Sequence, residues 1–486
     1  MPFLKAKGYD MTFRCGGTKM NLEELKQKKG HYIMMFSLPA IIAMLLTAVV
    51  TVTDGFFVGN YVGKEGIAAV NVGLPIVYLL LACGMMSGVG GSAIAGILNG
   101  DGKKEACRST FNQTVVTALV ISAAVSLLIF VFFRPVQMFL GAQGELGQHF
   151  CNYYKLMLLY YPVMVVNTVL GMFIRAEGKP QAAMMITVFG VVVNVVLDAV
   201  FCRMGYGIRG VAAASIISGV LSLVPGILFF VKAAQTFRFG RFAFDKEVFR
   251  STMLNGSSEF VGEMASCISM FCYNHVILRI VGTIGVSAFT VAGYTIFLFS
   301  MVVIGFGQGM SPIVSYVWGA GEHGLAEDYR KLTCRITFAA GVVFSAVMVL
   351  AAGPYSLLFV KDAQVGSMVQ EALIFFVVSF LLMGYNIITS MYFTSCGKAF
   401  PSALSSVMRG IVFLLICIFV LPELFGMRGV WLSAPVTEVL SMILTTVLLQ
   451  RYREVPERKG VVYEQSGNCY QSAVRQRRKE DRQDIV

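Results

Sequence analysis

The chain has 486 residues, of which 56% are hydrophobic and 14% charged, and it carries a net charge of +12. Soluble proteins run nearer a quarter charged, and the mean hydropathy here is +0.72. That balance excludes a soluble enzyme, a nucleic-acid binder or a secreted disulfide scaffold and implies an all-α polytopic membrane protein.

Residues 1–30 are polar and hold seven of the basic residues (Lys5, Lys7, Arg14, Lys19, Lys26, Lys28 and Lys29). No apolar core of a cleavable leader follows these charges before the first long span. Met1, Met11 and Met20 all offer a start. A second basic tail, 451–486, holds nine more Lys and Arg. No aromatic-interleaved basic surface of the kind that binds single strands accompanies either tail. The expected partners of the tails are anionic lipid headgroups, with no nucleic acid.

A helix needs about 20 apolar residues to cross the hydrocarbon. On that rule twelve spans follow in order: 33–61, 66–98, 111–133, 151–174, 181–202, 210–234, 253–281, 286–316, 335–360, 369–395, 401–425 and 429–450. The predicted units are an N-lobe over 31–234, a linker over 235–252 and a C-lobe over 253–450, between the two tails. Twelve spans place both tails on one side. Lys and Arg are richer in the loops on that side, which predicts cytoplasmic termini in a cell (inner) membrane. The eleven cysteines are scattered, mostly within apolar spans, and the four histidines form no spaced metal cluster. Asn112-Gln-Thr and Asn255-Gly-Ser match a glycosylation pattern but fall at helix starts on the cytoplasmic side, so they are read as chance matches.

Self-comparison exposes a repeat. Val62-Gly63, Gly66, Ala69 and Val72 match Val281-Gly282, Gly285, Ala288 and Val291, a spacing of 219 residues (282 − 63). The same spacing relates Gly88, Gly90, Ser92 and Ile94 to Gly307, Gly309, Ser311 and Ile313. It relates Gly100 and Gly102 to Gly319 and Gly321, and Gly178-Lys179 to Gly397-Lys398. It ends with Gly207, Arg209, Gly210 and Val211 against Gly426, Arg428, Gly429 and Val430. The fold is therefore two parallel six-helix repeats, related by an axis along the membrane normal. Such a pair encloses a central site and suits a transporter.

Charges inside the hydrocarbon are costly and mark function. The candidates are Asp54 in span 1, Asp198 in span 5, Glu259 and Glu263 in span 7, Glu438 in span 12 and Arg409 in span 11. Asp54 and Asp198 fall at similar depths, and Asn194 stands one turn before Asp198 on the same helix face. Two carboxylates and an amide oxygen suit a hard cation such as Na⁺. A carboxylate taken out of water beside another also suits a proton. Their repeat positions, Tyr273, Phe413 and Cys417, are not acidic, so ion coupling is placed in the N-lobe. Glu259 and Glu263, with Tyr273, are the substrate-binding candidates, and Met and aromatic side chains suit bulky cations. A Glu263–Arg409 ion pair is the structural expectation.

These residues resemble the multidrug and toxic compound extrusion (MATE) transporters over about residues 30–450. The resemblance rests on Pro39, on Asp54-Gly-Phe-Phe-Val-Gly59 and on Arg175-Ala-Glu-Gly-Lys-Pro180. It continues through Asn194-Val-Val-Leu-Asp198, Gly207-Ile-Arg-Gly210, Gly307-Gln-Gly-Met-Ser-Pro312, Arg409 and Gly426-Met-Arg-Gly-Val-Trp431. It implies efflux of small organic cations by a monomeric antiporter, driven by an inward H⁺ or Na⁺ gradient and needing no other cofactor. It also implies a cation site at Asp54, Asn194 and Asp198 with a hydroxyl at Ser215. The rival reading is a flippase or exporter of lipid-linked precursors from the same superfamily. Enzyme motifs such as H-E-x-x-H and G-x-S-x-G are absent from the sequence.

Overall fold

The computed structural model describes residues 12–15, 18–359 and 362–453; most of the basic C-terminal tail and residues 1–11 lie outside the described residues. Twelve long helices follow in order. In the first half they are α1 (Lys29–Tyr61), α2 (Leu74–Gly100), α3 (Lys104–Val131), α4 (Gly144–Ala176), α5 (Pro180–Arg203) and α6 (Gly207–Ala233). In the second they are α7 (Lys246–Ile280), α8 (Thr283–Gly319), α9 (His323–Leu350), α10 (Ala363–Ser395), α11 (Ala399–Phe425) and α12 (Met427–Arg453). Eleven of these are long and apolar enough to cross a membrane. The remaining one, α7, has ample length but carries Asn255, Glu259, Glu263 and His275, and it lies along α2.

The expected edges shift where polar residues extend or break a helix. Span 66–98 is two helices, Lys64–Val72 and α2, parted at Gly73. Pro75 lacks the N–H that would continue the ladder there, and a Cβ at Gly73 would overlap the Tyr154 ring. The linker is shorter than expected, because α7 begins at Lys246 with Asp245 as its cap. The Asp245 carboxylate accepts from the N–H groups of Glu247 and Val248 at 2.8 and 3.2 Å. The rest of the linker is strapped to the N-lobe: Glu177 accepts from the backbone N–H groups of Gln235, Thr236 and Phe237 at 2.8–3.0 Å. Asn112, 6% exposed, binds the same segment through Arg238 and Gly240, and Asn255 is also buried.

The polar start is more ordered than a plain tail. Thr12–Cys15 and Thr18–Asn21 pair as an antiparallel hairpin, followed by a short helix, Leu22–Gln27. Leu25 is buried in the core of the second half, and its carbonyl accepts from the Tyr329 hydroxyl at 2.9 Å. Lys26 and Lys29 meet Glu322 at 2.8 Å and Asp328 at 2.6 Å. The Glu322 carboxylate holds the Lys26 ammonium above its ordinary value. These two lysines thus tie the start of the described chain to the second half.

The 219-residue spacing reappears as geometry. Gly63 and Gly282, Gly102 and Gly321, Gly178 and Gly397, and Gly207 and Gly426 all have positive φ, between 54° and 100°. Only glycine adopts that conformation without strain, so the repeat conserves loop shape as well as letters. Arg209 donates to Asn152 at 2.6 Å, and its counterpart Arg428 donates to Glu371 at 2.8 Å. Residues 152 and 371 are themselves 219 apart.

The lobes meet backbone to backbone near the side of the membrane where the described chain begins and ends. α2 packs on α7, α8 packs on α1, and α2 and α8 cross. A Cβ at Gly90 would strike Thr252 and Gly256, and one at Gly309 would strike Ser37. Likewise a Cβ at Gly100 would strike the Tyr316 carbonyl, and one at Gly319 the Ile97 carbonyl. Each contact is the two-fold image of the other in its pair. Gly88 and Gly307 are filled in the same symmetric way by the sulfurs of Met172 and Met391. These six motif glycines are packing positions.

Valine at Gly90 should therefore overpack the lobe interface, at a cost of about 1–3 kcal/mol, and lower the melting temperature of the purified protein by several degrees. Gly171→Val is the control, since a Cβ there meets open space. Equal melting of the two variants would contradict this packing.

Candidate functional site

α5 packs against both α1 and α6, and this brings four sequence candidates together. Asp198, Asn194 and Ser215 are buried and Asp54 is half-buried. Gly190 lies one turn before Asn194, and a Cβ there would overlap the Ser222 hydroxyl. That close approach sets the hydroxyl face of α6, Ser215, Ser218 and Ser222, against the Asn194–Asp198 face of α5. The Asn194 Nδ2 donates to Ser215 Oγ at 3.5 Å, a long bond. Asp54 and Asp198 are electrostatic neighbours across the α1–α5 interface.

The chemistry of the site lies in what these oxygens lack. Asp54 Oδ1, both carboxylate oxygens of Asp198 and Asn194 Oδ1 are buried without a hydrogen-bond partner. Leaving such groups unsatisfied costs roughly 1–3 kcal/mol each, and more when charged. A set of hard oxygen acceptors facing one another is complete only with protons or a cation between them. Among the described residues no group of three His, Cys, Asp or Glu side chains is placed to hold a metal ion. The donor set is therefore two carboxylates and an amide, which fits an alkali cation or a proton.

Sequence reasoning missed two phenols at this site. Tyr153 and Tyr160 on α4 lie within electrostatic range of Asp54, and Tyr153 also of Asp198. Their seven-residue spacing puts them on one helix face. At a depth shared with the acids, that spacing was a usable signal.

The second half answers the same positions with apolar packing. Tyr273, at the repeat position of Asp54, is 6% exposed and stacks on Phe289 at 4.7 Å. It belongs to the C-lobe core, and it does not line an open surface. One acid of this half, Glu438 on α12, is fully engaged. Arg409 reaches both of its oxygens at 2.7–3.2 Å, and Asn386 donates to Oε2 at 2.6 Å and to the Glu438 carbonyl at 2.9 Å. This replaces the expected Glu263–Arg409 pair. α11 and α12 form a tight antiparallel hairpin, and a π-turn over Met408–Val412 re-aims Arg409 within it.

Glu259 and Glu263 are half-buried on α7. Among the described residues neither forms an ion pair, and Tyr78 on α2 lies within electrostatic range of Glu263. Two carboxylates one turn apart and open on the α2–α7 seam give the middle of the molecule an acidic character.

The fold and this site define a two-lobed, multi-pass membrane transporter with a buried oxygen cluster in one lobe. The MatE family model matches residues 39–200 and 260–420, and the chain belongs to that family, whose members are transporters and not enzymes. It is similar to the multidrug export protein MepA of Staphylococcus haemolyticus (strain JCSC1435), 24% identical over 430 residues, 87% of this chain and 93% of that one. MepA of Staphylococcus aureus (strain MRSA252) is likewise 24% identical over 432 residues, covering 87% and 94%. Among solved structures, an outward-facing multidrug resistance MATE transporter superposes with a TM-score of 0.81, at 24% identity and 87% and 95% coverage. A MOP superfamily transporter from Pyrococcus furiosus, described as having a binding pocket of reversed polarity, matches with a TM-score of 0.81, at 22% identity and 87% and 96% coverage.

Replacing Arg409 by Ala would leave the Glu438 carboxylate, 4% exposed, buried without its counter-charge. The expected loss is about 3–5 kcal/mol of stability, read by thermal unfolding in detergent. The double variant Arg409→Met with Glu438→Gln should recover most of it. A harmless single change would show that the pair is not needed.

Proposed function

We propose that this protein exports organic cations by antiport, exchanging them for H⁺ or Na⁺ bound at Asp54, Asn194 and Asp198. The observation that carries this reading is the set of four buried oxygens without donors in the N-lobe, beside a C-lobe acid that is fully neutralised. A site that must be filled by a cation is a site that can be loaded from a gradient. Asp54 and Asp198 hold the ion, Asn194 contributes its amide oxygen, and Ser215 orients that amide. Glu259 and Glu263 attract the cationic cargo to the seam between the lobes. Their acidity favours this cargo over a lipid-linked anionic precursor.

The contacts of Gly90, Gly100, Gly309 and Gly319 support an outward-facing reading, in which the lobes are shut on the side of the termini. On this reading the termini are cytoplasmic in the cell membrane. Ion binding from outside releases the drug and lets the loaded protein reset inward. In one-for-one exchange with a monovalent cationic cargo the membrane potential cancels and the concentration gradient of the ion drives export; each further charge entering adds about 2.3 kcal/mol per 100 mV. Selection between the two states requires that ion and cargo prefer different ones.

Ethidium efflux from cells lacking their own pumps tests the proposal. Asp54→Asn and Asp198→Asn should each reduce efflux to near the empty-vector level, and Ser215→Ala should reduce it only in part. Collapsing the Na⁺ and proton gradients separately names the ion, since efflux should die with one of them. Full efflux in Asp198→Asn would refute the coupling site.

A further inference from the structure

One buried charge takes no part in this scheme. Arg175 stands in the last turn of α4 and is 7% exposed. Among the described residues no carboxylate offsets its charge. Glu177, two residues on, is committed to the backbone N–H groups of Gln235, Thr236 and Phe237. A guanidinium has five donors and no acceptor, and a buried one without a counter-charge costs several kcal/mol.

Arg175 faces a cavity at the seam of the two lobes. The walls are two-fold images of each other: Val89 with Gln308, Ser92 with Ser311, and Met172 with Met391. The cavity therefore lies on the axis relating the halves, and Arg175 breaks its symmetry, because the residue 219 positions later is Thr394. The cavity is half open, and its innermost part, about 20 Å³, is where one water-sized species fits beside Arg175. Gln308 contributes an amide whose oxygen has no donor and whose nitrogen meets only the Met44 sulfur, at 3.7 Å. Turned about, that amide offers N–H to an anion. Ser92 donates to the Val89 carbonyl at 3.2 Å, whereas Ser311 accepts from Ser395 at 2.8 Å and keeps its own proton, so the lining holds one fixed positive charge, a neutral hydroxyl donor and two thioethers.

We infer that Arg175 and the seam around it form a binding site for one small monovalent anion, of halide size. A single guanidinium sets the charge of the ligand, and the volume sets its size. Because both lobes build the walls, the site is whole only while the lobes are closed on this side. Bound anion therefore stabilises the closed seam in proportion to RT ln(1 + [anion]/Kd). This site is distinct from the oxygen cluster of α1, α5 and α6, and it stands whether or not that cluster drives transport.

The test is thermal unfolding of the purified full-length protein at constant Na⁺, with chloride, formate or gluconate as the anion. Chloride should raise the melting temperature by several degrees over gluconate, which is too large to enter. Formate matching chloride would assign the site to small anions in general, and formate matching gluconate to halides. Arg175→Gln should abolish the chloride increment. Ser311→Asp, which places a tethered carboxylate opposite Arg175 from the other lobe, should abolish it too while the protein stays folded. Equal melting of the wild type in chloride and gluconate would overturn the site, as would an increment that survives in both variants.

Discussion

An ionised carboxylate cannot stay unpartnered where no water reaches it, and the two halves of this molecule meet that constraint in opposite ways. In the C-lobe, Glu438 is closed off by Arg409 and Asn386, so that carboxylate has its counter-charge and its donors. In the N-lobe, Asp54, Asn194 and Asp198 present oxygens to one another with no donor between them. The duplication preserved the scaffold, down to the positive-φ glycines, while the polar interior diverged.

α1 joins that cluster to the lobe interface. Its first half packs into the core of the C-lobe through Tyr32, Ile33 and Phe36, and Ser37 and Ile41 lie against Gly309 and Gly305. Its second half carries Asp54. Pro39 sits between Ser37 and Ile41 and removes one rung of the ladder, so the helix can bend near the interface. On the proposed function, a change in charge at Asp54 that tilts one end of α1 is felt against α8. α7 is the two-fold image of this arrangement, with Gly256 against Met86 and Gly90 and Glu259 one turn beyond.

Much of this was legible in the letters. Spans announce themselves by length and hydropathy, and the repeat by a spacing that no local rule explains. Asp54, Asn194 and Asp198 could be grouped because helix rise converts sequence position to depth, and Ser215 was added by the resemblance to the MATE transporters. Partner choice was less legible. Depth set Arg409 level with Glu263, but its partner is Glu438 on the next helix of the hairpin, and depth does not say which neighbouring helix a side chain meets. Tyr273 inherited its candidacy from the position of Asp54, but a phenol among apolar neighbours stacks on Phe289 and joins the core. Lys26 and Lys29 read as tail charge because their partners, Glu322 and Asp328, lie some 300 residues away.

The signs of the remaining charges follow the axis of the molecule. Arg175 lies at the shut seam, and Glu259 and Glu263 lie deeper along the α2–α7 contact. An organic cation held by the two acids sits in a favourable potential that turns unfavourable toward the guanidinium. In a medium of low effective dielectric such a step is not screened as it would be in water. On the proposed function, a cation is therefore drawn to the middle of the molecule and repelled from the closed end, so the barrier to back-leak is electrostatic as well as steric. A small anion beside Arg175 would weaken that repulsion while strengthening the steric seal. The two effects oppose each other, and the closed seam needs only one of them to hold.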